Sequence, residues 1–176
     1  MDNVFWLNGF PLAPTVNNSL VKIKGNGHLK FNKKGKPYRQ QFAKSRTHKS
    51  FENACRVWHA MNSRAVMVMR NELLKLKADV EGKGGRFALR IECFFAFTEE
   101  QMFTEGWQPD ADNRLKPCAD ALKKILELDD VYFFATLSEK VTTTTKENEC
   151  SVIRISPMTH RTLDEVRALM FREATA

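Results

Sequence analysis

Residues 86–97, RFALRIECFFAF, place Phe87, Leu89, Ile91, Cys93, Phe95 and Phe97 at every second position. Side chains alternate across a strand, so these six share one face, and so long an apolar face belongs in the middle of a sheet. Just upstream the period changes. Phe51, Ala54, Val57 or Trp58, Met61, Ala65, Met69 and Leu73 recur every three or four residues, the spacing of an amphipathic helix over about 49–77 with room for one break. Its Met and Trp stripe reads as core packing rather than a ligand groove. EGKGG, residues 81–85, ends that helix. A long helix leading into a buried strand calls for a sheet with helices packed on it, which makes the fold class α+β.

The flanking segments agree. VFWL near the start is a short strand broken at Gly9 and Pro11, and SLVKI alternates as a second. GNGHLKFNKKGKPYR, punctuated by Gly25, Gly27 and Gly35, reads as a basic hairpin or flap. TEEQMFTEGWQP reads as a loop. VYFFATLSEKVTTTT and ECSVIRIS are β-branched or alternating strands with a KENE turn between them. THRTLDEVRALMFREA is a closing helix whose Thr162 and Glu165 have capping-box spacing. At 176 residues the chain suits one domain with a small mixed or antiparallel sheet, residues 1–176, the segment from about 158 to 176 forming a helical tail.

The N-terminal MDNVFWLNGFPLAP has neither a basic n-region nor a long apolar run, so no secretory signal is expected. No run approaches the roughly 20 apolar residues of a membrane span. Cys55, Cys93, Cys118 and Cys150 form no short-spaced pair and suit buried free thiols in a reducing compartment. Neither they nor His28, His48, His59 and His160 have the spacing of a zinc site.

The net charge is +7, and it is local. Between Asp2 and Glu52 there is no acid, while Lys22, Lys24, Lys30, Lys33, Lys34, Lys36, Arg39, Lys44, Arg46 and Lys49 crowd the interval. Beyond it the charges nearly cancel. Such clustering is the electrostatic footprint of a polyanion partner, and nucleic acid is the first choice.

Against that background, QPDADNRLKPCADALKK (108–124) and LELDDV gather carboxylates: Asp110, Asp112, Asp129 and Asp130. Asp112 suits a helix N-cap, where a carboxylate accepts backbone N–H groups and meets the positive end of the dipole. That role explains neither Asp110 nor the pair at the far end, where negative charge opposes the dipole. Converging carboxylates repel, by roughly 3 kcal/mol at about 5 Å and an effective dielectric near 20. A divalent cation removes that cost. Mg²⁺ takes hard oxygen ligands from a few carboxylates and can serve phosphodiester cleavage. Lys116 lies one helical turn past Asp112 and is placed to meet a phosphate, or simply to pair with Asp112 or Asp120.

DADNRLKPCADAL followed by LDDV resembles the RusA family of Holliday junction resolvases. Its pattern is Asp-x-Asp-Asn-x-x-Lys, a helix bearing Asp-Ala-Leu, and an Asp-Asp pair about ten residues on. APTVNN and the strand LRIEC fall in matching order, and the resemblance spans about residues 10–157. It implies that Asp110, Asp112, Lys116 and Asp130 are catalytic. It implies that Asp110, Asp112 and Asp130 hold metal, with Asp129 assisting and Asn113 supporting. It further implies a RusA-like α+β homodimer in the cytoplasm of a bacterium or phage-infected host. Such an enzyme uses Mg²⁺, with Mn²⁺ as a possible substitute, to cut four-way DNA junctions symmetrically. Lys22, Lys24, Lys30, Lys33, Lys34, Lys36, Arg39, Lys44 and Arg46 would grip the arms, with Phe31, Tyr38 or Phe42 available to stack at the crossover. The chain departs from the family in TEGWQP before the first Asp, in VYFF after the Asp pair and in Pro117, which argues for a helix that starts late or kinks near Lys116. Two alternatives stand beside the resolvase: a branched-DNA-binding module that does not cut, and a metal nuclease acting on RNA or flaps.

Overall fold

The computed structural model describes residues 4–15, 20–22, 42–103, 110–159 and 162–165. It shows a mixed α+β architecture. Among the described residues six strands, β1 (Phe5–Phe10), β2 (Leu20–Lys22), β3 (Phe42–Lys44), β4 (Leu89–Thr98), β5 (Phe133–Thr143) and β6 (Ser151–Pro157), accompany four complete helices. The helices are α1 (Arg46–Met61), α2 (Ser63–Gly82), α3 (Glu99–Phe103) and α4 (Asp112–Leu126).

The main sheet has the order β1-β6-β4-β5. β1 runs antiparallel to β6, and β6 antiparallel to β4, whereas β4 and β5 are parallel. Parallel neighbours need a crossover, and α4 provides it. β2 and β3 form a separate antiparallel pair at the two ends of the expected basic flap; residues 23–41 between them lie outside the described residues.

The alternation in 86–97 has its expected consequence. Leu89, Ile91, Cys93, Phe95 and Phe97 are fully buried on one face of β4. Ile153 and Ile155 from β6 and Leu7 and Phe10 from β1 extend that face. Against it lie Phe51 and Cys55 of α1, Val66, Met69 and Leu73 of α2, and Cys118, Leu122, Ile125 and Leu126 of α4. Each of the larger side chains, fully buried, contributes roughly 1.5–3 kcal/mol of hydrophobic stabilisation. The helix expected over 49–77 is two helices, starting three residues earlier and joined at Asn62, whose N–H and side-chain amide both donate to the Trp58 carbonyl. Ser45 caps the first of them by accepting from the His48 N–H at 3.0 Å.

Three local expectations are corrected. β1 does not break at Gly9: the strand continues to Phe10, with a register irregularity between Leu7 and Phe10 that Gly9 accommodates at φ +62°. TEEQMF is not loop but α3, whose first turn is capped by Thr98 Oγ1 accepting from the Gln101 N–H. Pro117 neither delays nor breaks α4, which starts at Asp112 and buries the proline in the core-facing stripe. The missing N–H leaves the Asn113 carbonyl without its helical donor, and packing holds the helix regardless. Of the closing helix only the start is described; there Thr162 and Glu165 do exchange capping-box hydrogen bonds. Among the described residues no helix is long and apolar enough to cross a membrane.

Candidate active site

α4 carries the acidic constellation because its two faces differ. Pro117, Cys118, Ala121, Leu122, Ile125 and Leu126 recur at helical spacing and dock on the core, which leaves the polar residues to the outside. The helix begins when Ala111 enters helical backbone, at φ −72° and ψ −41°, and this moves the capping duty one residue upstream of Ala111. Asp110 Oδ1 accepts the Asn113 N–H at 3.1 Å, and Asp110 Oδ2 accepts from the Asn113 side-chain amide. The cap is therefore Asp110 and not Asp112. Asn113 supports it by pinning both carboxylate oxygens. Asp112, the first helical residue, turns its carboxylate to β5, where Ser138 Oγ donates to Asp112 Oδ1.

Arg114 anchors this end from below. Its guanidinium lies 5.0 Å from the Phe97 ring centroid and donates to the Ala13 carbonyl. Burial lowers its pKa, against the opposing pull of Asp110 and Glu149. A guanidinium stays charged through such a shift. The start of α4 is thus fixed to the segment after β1.

Lys116 is solvent-facing, with 73% of its side chain exposed, and its nearest acid is Asp120 at 4.0 Å rather than Asp112. The lysine that does meet the expected site acids is Lys123. Its Nζ lies 2.9 Å from Asp129 Oδ1 and 3.0 Å from Asp130 Oδ1. The Lys123 hydrogen bond is the main cause that pushes the Asp129 carboxyl down to about 2, followed by the hydrogen bond with Asp130 and then the Val131 N–H. Asp129 and Asp130 in turn raise the Lys123 ammonium. This resolves the objection that carboxylates should avoid a helix C-terminus: they lie past it. α4 stops at Glu127 in left-handed backbone, and Asp129 caps a 3-10 turn, Asp130–Tyr132, through the Val131 N–H.

The four acids do not converge within one chain. Asp110 and Asp112 sit at the start of α4, and Asp129 and Asp130 follow its end. Fifteen residues of helix span about 22 Å. Measured the other way, Asp112 touches Ser138, five residues into β5, a run of about 17 Å from the strand's start beside Asp130. Consistent with this, no three acidic, His or Cys residues among the described residues are grouped to hold a metal ion. Within one chain the rigid helix holds Asp110 and Asp112 apart from Asp129 and Asp130.

Of the expected nucleic-acid-binding residues, Lys24, Lys30, Lys33, Lys34, Lys36 and Arg39 lie outside the described residues, as do Phe31 and Tyr38. Lys22 and Lys44 close the ends of the β2–β3 pair, and Arg46 opens α1 on the exposed surface. All four cysteines are free thiols. Burial pushes Cys55 up to about 12. Cys93 and Cys118 are buried with their sulfurs 3.8 Å apart, and that contact, then burial, holds the Cys118 thiol well above its usual range. Thiols raised in this way, as at Cys55 and Cys118, are poor nucleophiles.

Sequence reasoning missed Ser138, Lys123 and Arg114. Ser138 and Arg114 act across the fold and leave no local signal. Lys123 had one: a lysine in the last turn of a helix, six and seven residues before an Asp pair, can fold back onto it. No protein-family model matches the chain, and no curated protein matches it.

Proposed function

We propose that this protein is a Mg²⁺-dependent, structure-selective endonuclease that resolves four-way DNA junctions, and that it works as a homodimer whose active sites are each built from two copies. The observation that carries the reading is the placement of both acid pairs beside one open sheet edge. Among the described residues β5 ends the sheet, with β4 on one side only. Asp112 is hydrogen-bonded to Ser138 in that strand, and Asp129 and Asp130 lead into it. A two-fold axis midway between Asp130 and Ser138 falls at Phe134. Two copies packed about it, the start of one β5 against the start of the other, bring each copy's Asp110 and Asp112 toward the partner's Asp129 and Asp130. The same axis matches exposed apolar residues to one another: Val131 (65% exposed) faces the partner's Leu137 (38%), and Phe134 (47%) faces its own counterpart. Open edges are natural templates for strand pairing, and a two-fold interface must be self-complementary.

The donor set suits the metal. Carboxylate oxygens from two pairs, with a serine hydroxyl and an amide holding them in place, are the hard oxygen ligands that Mg²⁺ prefers. Bound there, Mg²⁺ would supply the electrophilic help that phosphodiester hydrolysis needs. Asp110 and Asp112 present the oxygens, Asn113 and Ser138 fix their direction, and Lys123 offsets the repulsion between Asp129 and Asp130. Lys116, one turn from Asp112 and free to swing from Asp120, is positioned to meet the phosphate. A dimer with two matched sites fits a substrate that needs two matched cuts.

A second reading, a branched-DNA-binding module that does not cut, is favoured by one observation: each of the four acids already has a partner within the chain. Cleavage separates the two. A labelled mobile four-way junction, a flap and a linear duplex are incubated with Mg²⁺ or EDTA and with wild type or Asp110→Asn. Symmetric nicks on the junction alone, lost with EDTA and in the variant, support the resolvase. Tight junction binding without cutting in Mg²⁺ or Mn²⁺ supports the binding module, and nicks on the flap point to a different branched substrate.

A further inference from the structure

The sheet has a second face, away from α1, α2 and α4 and from the acids. One row of side chains crosses it. In register, Trp6 of β1 lies beside Arg154 of β6, Arg154 beside Glu92 of β4, and Glu92 beside Leu137 of β5. Phe94, two residues along β4, joins the row. Its ring is nearly parallel to that of Trp6, at 24°, with centroids 6.3 Å apart. The Arg154 guanidinium flanks the indole at 5.9 Å from its centroid. Trp6 is 56% exposed, a large aromatic surface turned to solvent.

The charges in this row are built, not scattered. Glu92 is 7% exposed and receives two guanidinium groups, Arg154 through Nη1 and Arg90 through Nη2 at 3.2 Å. Burying a carboxylate is costly unless it is paired, so Glu92 fixes both arginines in place. Two fixed guanidiniums thus stand beside two near-parallel rings, with Glu139, the register partner of Phe94 on β5, as a second acid on the same face. A flat aromatic surface with a fixed cation at its rim matches a base joined to a phosphate. A duplex keeps its base faces stacked inside, so only unpaired nucleotides can use such a surface.

We propose that this sheet face, which carries no helix among the described residues, is a platform for unpaired nucleotides of a single strand, with bases stacking on Trp6 and Phe94 and the backbone met by Arg154 and Arg90. It goes beyond the junction-cutting reading and is separable from it, because the platform and the acids lie on different surfaces.

The test uses the full chain and a labelled oligothymidine, beside a blunt duplex of equal length. Asp112→Asn supplies a non-cutting background. Replacing Trp6 by Ala is expected to weaken oligothymidine binding about tenfold or more, as loss of a stacking aromatic does, and to leave duplex binding unchanged. Trp6→Phe should keep most of the affinity. A second measurement does not depend on how the alanine variant folds: with Trp58 and Trp107 replaced by Phe, the remaining Trp6 fluorescence should be quenched by oligothymidine and not by duplex. Equal affinities with an unquenched Trp6 would overturn the platform. A shift in oligomeric state on Trp6→Ala, with single-strand binding intact, would make this face a protein interface instead. Junction cleavage by Trp6→Ala is scored separately: if it fails to cut only when Asp112 is also replaced, the two proposals stand or fall apart.

Discussion

Composite sites make a prediction that sites within one chain do not. Asp112 and Asp130 of one chain are separated by about 17–22 Å. Oxygen ligands must come within about 2.1 Å of Mg²⁺. One ion therefore cannot bridge them without a second copy. The perturbation is a mixture of two inactive chains, Asp112→Asn and Asp130→Asn, carrying different tags and refolded or co-expressed together. In a mixed dimer, one site receives both damaged residues and the other receives none. Random assortment makes about half the dimers mixed, each with one intact site of two, so about a quarter of the wild-type sites are restored. The assay is nicking of a labelled four-way junction by doubly tag-purified dimers. Each parent alone should be inactive. The purified mixed dimers should nick one strand at about half of the wild-type rate, and should not make the paired cuts that resolve the junction, because no dimer holds two good sites. If each site lay within a single chain, every site in the mixed dimer would carry one lesion. A mixture as inactive as its parents, with mixed dimers demonstrably present, would refute the composite arrangement.

Other substitutions separate structural from chemical roles. Asp110→Ala should cost about 0.5–2 kcal/mol in urea unfolding by removing the α4 cap, whereas Asp110→Asn keeps the acceptor and should stay within a few tenths; both should abolish cutting if the charge serves the metal. Leu122→Ala, at a fully buried position on α4, should cost about 2–5 kcal/mol and lower the urea midpoint. A loss under about 1 kcal/mol would mean α4 is not held by its core face. The Lys123 clasp predicts a pH signature. Asp129 is depressed to about 2, so its contribution is complete above its unfolded value near 3.8 and fades as pH falls toward about 2. Wild type should therefore exceed Lys123→Met in urea midpoint by a constant margin at pH 5–7 and lose that margin between about pH 4 and 2. A margin that persists at pH 2 would assign the effect to something other than the Asp pair.

What could be read in advance divides along a physical line. The β4 strand, the paired helices before it and the course of β5 and β6 follow from periodicity, because burial imposes the period on the residues themselves. α3 was equally legible and was overlooked: Thr98, three residues before Gln101, is a capping-box spacing, and two glutamates fill the first turn of the helix, where negative charge is favoured. The acids were legible as chemistry but not as geometry. Their spacing along the chain is short, and it invited a single cluster. A rigid helix converts that short spacing into a long distance, and the proposed pairing of two copies at the β5 edge would close it. The roles of Asp110 and Asp112 could not be separated in sequence either, because which of them caps depends on one dihedral pair at Ala111. Ser138 and Arg114 lie furthest from legibility: each is an unremarked residue in its own segment, and each acquires its role from a partner on another element. The same holds for the sheet's open face, where Trp6, Arg154 and Glu92 come from three strands and become one row only through register. Local pattern specifies the scaffold, and strand register and helix length decide which residues meet, so the candidate site and the platform are properties of the assembled sheet rather than of any one stretch of sequence.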